Sequence, residues 1–75
     1  MLNQIDINCI GMKCPRPIIE IAKAARKSTP GSIINIIADD LAFESDVNAW
    51  AENTGATILS MTKEKGQIEV KIQLK

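Results

Sequence analysis

The chain has 75 residues, with nine basic and nine acidic side chains and no histidine. A chain of that length makes one domain, residues 1–75, which buries only about 60% of the surface its unfolded form exposes and has no room for an enclosed active site. With zero formal net charge and only Phe43 and Trp50 able to stack on bases, direct nucleic-acid binding is not expected.

Ile5, Ile7 and Cys9 alternate with Asp6 and Asn8, the period of a strand with one buried face. After the Gly11 loop, Ile18, Ile21, Ala22 and Ala25 recur at helical spacing up to the breaker Ser28-Thr29-Pro30-Gly31, which predicts a helix from about Pro15 to Lys27. Ser32 to Ala38 carries isoleucine on both parities, as a central strand does. Phe43, Val47, Trp50 or Ala51, and Thr54 mark one face of a second helix with Gly55 as its stop and Asp40 or Ser45 as its cap. Thr57 to Thr62 reads as a third strand and Gln67 to Leu74 as a fourth, joined by Glu64-Lys65-Gly66. The order is βαβαββ. Right-handed crossovers then place both helices on one face of a mixed four-stranded sheet, an α/β (α+β) two-layer sandwich. Strands one and two should be parallel, so the loops after both open at the same sheet edge, where such folds place their sites.

One of those loops holds Cys14-Pro15-Arg16-Pro17. Amides at a helix start carry a partial positive charge that favours a thiolate, and Lys13 and Arg16 flank the thiol. The prolines suit a first turn, where a missing N–H costs nothing and the fixed φ is already helical. The bland alternative is a buried, inert cysteine ahead of a helix.

Gly11-Met12-Lys13-Cys14-Pro15-Arg16-Pro17, followed by Ala38-Asp39-Asp40 and Asp46-Val47, resembles the TusA/SirA-like sulfur-carrier family over essentially the whole chain. The resemblance implies a βαβαββ sandwich like the C-terminal domain of a bacterial translation initiation factor. It also implies that Cys14 takes sulfane sulfur as a persulfide from a donor such as a cysteine desulfurase and relays it to an acceptor protein. Family members are linked to tRNA thiolation, molybdenum-cofactor synthesis and sulfur oxidation. Gly11, Lys13, Pro15, Arg16 and Pro17 would support the thiolate, Asp39 and Asp40 would serve partner docking, and no cofactor would be needed. Three positions depart from the usual pattern: Asn8 replaces an aspartate, Leu41 a proline and Phe43 a threonine, which makes the rim of the site more apolar. Two alternatives keep the same fold: a non-catalytic regulatory or interaction module, and a selenium-handling relative.

Cys9 has the inward parity of its strand and reads as a packing residue; the sharper alternative is a resolving thiol for Cys14. Asp39 and Asp40 could equally hold Lys13 or Arg16 or form a turn and helix cap. Residues 13 to 27 hold five basic side chains against Glu20, and residues 39 to 52 five acidic and no basic ones. These are either solvated faces or a docking surface around the thiol. Trp50 is expected in the core. Two cysteines without histidine complete neither a structural zinc site nor a Cys-His pair. The longest nearly apolar stretch, Ile33 to Ala38, is far short of the roughly 20 residues of a membrane helix. Met1 to Gln4 lacks the features of a secretory signal. A cytoplasmic monomer with reduced thiols is expected.

Overall fold

Residues 4–13 and 15–75 are described by a computed structural model. They form β1 (Gln4–Cys9), α1 (Arg16–Arg26), β2 (Ile33–Ala38), α2 (Phe43–Thr54), β3 (Thr57–Glu64) and β4 (Gln67–Gln73). The sheet order is β1-β2-β4-β3, with β1 parallel to β2 and the other two pairings antiparallel. β2 is thus central, which accounts for its isoleucines on both parities: Ile34 and Ile36 are buried in the core and Ile33 and Ile37 are half-buried on the open face. Cys9, Ile21, Phe43, Val47, Val70 and Ile72 complete one core between the sheet and both helices. The two-layer α+β sandwich read from the pattern is the architecture observed.

Local differences have physical causes. β3 extends two residues past the expected Thr62, because Lys63 forms an ion pair with Glu44 on α2 and Glu64 still pairs with Gln67. The turn shortens to Lys65-Gly66, both at positive φ (50° and 79°), the primed geometry that matches strand twist. A register shift between Ile58 and Ser60 leaves Leu59 unpaired and returns Met61 to the core face opposite Val70. The cap position of α2 is Ala42, not Asp40 or Ser45, and it makes no side-chain cap hydrogen bond. The Asp40 carbonyl accepts the Phe43 N–H at 3.1 Å. Gly55 ends the helix in the left-handed conformation (φ 80°), as expected.

Candidate functional site

β1 and β2 run parallel and end on the same rung, Cys9 opposite Ala38, so the loops that follow leave the sheet side by side. The first loop spends its amides in sequence. The Ile10 N–H donates to Asn8 Oδ1 at 3.0 Å, the Gly11 N–H to Asp39 Oδ1 at 2.9 Å, and the Met12 N–H to the Cys9 carbonyl at 3.1 Å. Gly11 sits at φ 85° with open space where a Cβ would stand, so the backbone conformation and not crowding calls for glycine. Cys14 lies outside the described residues. On either side of it, the Arg16 N–H donates to the Lys13 carbonyl at 2.8 Å, and Lys13, Pro15 and Arg16 are all exposed.

α1 starts with Pro15 at its cap position and Pro17 in its first turn, as the sequence predicts. Two of its leading residues therefore have no N–H, and Arg16 commits its own to Lys13. The field of the helix start and the cations Lys13 and Arg16 favour an anion here. No acidic residue in the first turn opposes it. Arg16 leans along its helix toward Glu20, 3.7 Å away, which also draws Lys23 at 3.6 Å; at these exposures such pairs contribute little. Asp39 accepts the Gly11 backbone, a role the sequence reading did not include.

Between the two loops lies a shallow cleft of about 220 Å³ lined by Gly11, Met12, Lys13, Asp39, Asp40 and Leu41. Leu41 is 97% exposed at its rim. A second, wider groove of about 320 Å³ runs between the helices from Pro15 and Ile18 to Trp50 and Asn53. Trp50 packs against the core from one side and borders this groove from the other, so it is only half-buried.

Cys9 is fully buried. Burial pushes its thiol pKa up, Glu20 adds to the rise and Arg16 opposes it. This is the packing role, with the proton retained near neutral pH. In the sequence Asn8 reads as a missing charge; its role as acceptor for the Ile10 N–H is signalled only by an Asx side chain two residues before a loop amide. Among the described residues no cluster of His, Cys, Asp or Glu is placed to hold a metal. None of their helices is long and apolar enough to cross a membrane.

The family described as sulfurtransferase TusA matches residues 5–74. The chain belongs to that family. A relative from Archaeoglobus fulgidus, named "Putative sulfur carrier protein", is 38% identical over 58 residues, which is 77% of this chain and 75% of the relative. A Neisseria meningitidis protein with the same description is 27% identical over 99% of this chain and its own full length. The crystal structure of a SirA-like protein from Desulfitobacterium hafniense superposes with a TM-score of 0.81 at 28% identity, covering 92% of this chain and 95% of that one. The TusA family and the names of these relatives indicate a sulfur carrier.

Proposed function

We propose that Cys14 carries sulfane sulfur as a persulfide between a donor protein and an acceptor protein. The observation that carries this reading is the hydrogen-bonded loop from Asn8 to Arg16. It leads the chain from a buried strand end to an exposed helix start, with Lys13 and Arg16 flanking Cys14 in the sequence and no acid in the first turn. In the proposed step, the Cys14 thiolate attacks the outer sulfur of a donor cysteine persulfide. A new S–S bond forms at Cys14, the donor S–S bond breaks, and the donor cysteine leaves as a thiolate. One sulfane sulfur moves and no net oxidation occurs, so the chain needs no metal or organic cofactor. Because there is no histidine to act as base, the reaction depends on the thiolate already being present.

The donor proposed is a cysteine desulfurase or another persulfide-bearing protein, and the acceptor a downstream protein of sulfur metabolism. Asp40 and the Leu41 rim belong to the surface facing them, while Asp39 is engaged by the Gly11 N–H. The setting proposed is the cytoplasm, where thiols stay reduced, with the chain acting as a monomer. Incubation with a cysteine desulfurase and cysteine, followed by intact-mass analysis, should add the mass of one sulfur atom that a reductant removes. A folded chain that takes up no sulfur would instead be an interaction module.

A further inference from the structure

We infer that Asp39 is a positioning residue for the transfer step. This rests on the carrier reading above. Asp39 follows the last residue of β2, and its Oδ1 accepts the N–H of Gly11 at 2.9 Å across 28 residues of sequence. That bond ties the loop leading to Cys14 to the rigid central strand and not merely to its own neighbours. Two other loop amides are held locally, by Asn8 Oδ1 at Ile10 and by the Cys9 carbonyl at Met12. Asp39 thereby links the first loop of the site to the second.

The position of the constraint matters. Gly11 sits in the left-handed region, which glycine shares freely with the ordinary right-handed one, so this residue is where the loop would otherwise have two conformations open to it. A carboxylate oxygen accepting its N–H selects one of them. A charge-assisted hydrogen bond of this kind is shorter and stronger than a neutral one. Since the bond is exposed, losing it should leave the core untouched and act on where the loop points.

The test compares Asp39→Ala, which removes the acceptor, with Asp39→Asn, which keeps an oxygen in place and removes the charge. Single-turnover sulfur uptake is followed against increasing persulfidated donor, giving a saturating rate and a half-saturation concentration, alongside a melting curve for each variant. Displacement of a reacting group by a fraction of an ångström lowers rates steeply, so Asp39→Ala should cut the saturating rate about tenfold with half-saturation unchanged. Asp39→Asn should restore the rate to within about twofold, because its side-chain oxygen can still accept the Gly11 N–H. Equal rates in all three proteins would overturn the assignment. So would equal losses in both variants, which would make the charge the agent, or a change confined to half-saturation, which would make Asp39 a docking residue. A wild-type chain that accepts no sulfur would defeat the carrier reading alone. Alkylation of Cys14 by iodoacetamide then decides Asp39 separately, an unchanged rate in Asp39→Ala overturning its role.

Discussion

Cys9 and Ala38 face each other across the last rung of the parallel β1–β2 ladder, and both are fully buried. The sheet thus closes its core at the level where the two site loops begin, with Cys9 on the core side of that boundary. Cys9→Ser would put a hydroxyl into apolar surroundings and should cost about 1–3 kcal/mol in urea unfolding, while sulfur uptake stays intact.

The same burial sets a pH dependence. Because the folded state holds the Cys9 thiol pKa above its ordinary value of 9.0, the unfolded chain loses that proton first as pH rises. Above about pH 9 the folded state binds more protons, so stability falls with increasing pH. Below it the contribution is fully present. The stability advantage of the wild type over Cys9→Ala, measured by denaturation at neutral and alkaline pH, should shrink as pH rises. A constant difference would contradict this origin.

Pro15 and Pro17 have separate roles. Pro17 is buried against the core and Pro15 is exposed. Pro17→Ala removes two buried methylenes and should cost about 1.5–2.5 kcal/mol, counting the freer unfolded chain. Pro15→Ala should cost less than about 1 kcal/mol, and its effect should appear in the rate of sulfur acceptance. Melting curves paired with transfer rates separate the two.

Leu41 occupies the second position of a turn closed by the Phe43 N–H on the Asp40 carbonyl, the position proline prefers. Since its side chain is almost wholly exposed, Leu41→Pro loses no packing and should raise stability by about 0.4–1 kcal/mol. If Leu41 instead contributes apolar contact to a partner, the same variant will show weaker donor half-saturation, read in the uptake assay.

Much of this architecture is legible in short-range patterns. Ile68, Val70 and Ile72 alternate with polar neighbours and are the side chains β4 turns to the core; Ile33 to Ala38 announces a central strand by having no polar face. The features that were not legible depend on distant partners. Lys63 continues β3 because Glu44 on another element meets it, and the bulge at Leu59 is decided by the register of β4. Asp39 looked like a cap or a docking charge because its partner, the Gly11 amide, is brought near only by the parallel pairing of β1 and β2. The motif around Cys14 stood out because the chemistry of a helix start is local.

Arg16 flanks Cys14 in the sequence, with its side chain 64% exposed and in loose contact with Glu20. Arg16→Glu places like charges four residues apart and should change stability by no more than about 0.5 kcal/mol. Electrostatic complementarity acts mainly on association rate and is screened over about 8 Å at physiological salt. Uptake from the donor should therefore slow in this variant, and its dependence on salt should weaken.

The proposed mechanism carries sulfur on Cys14 and not on Cys9. It is tested most directly by loading wild type, Cys14→Ser and Cys9→Ser with a cysteine desulfurase and cysteine, then locating the added sulfur by peptide mass. One sulfur is expected on the Cys14 peptide in wild type and Cys9→Ser, and none in Cys14→Ser. Sulfur on the Cys9 peptide, or a Cys9–Cys14 disulfide required in every transfer, would contradict it and make the chain a two-thiol redox protein.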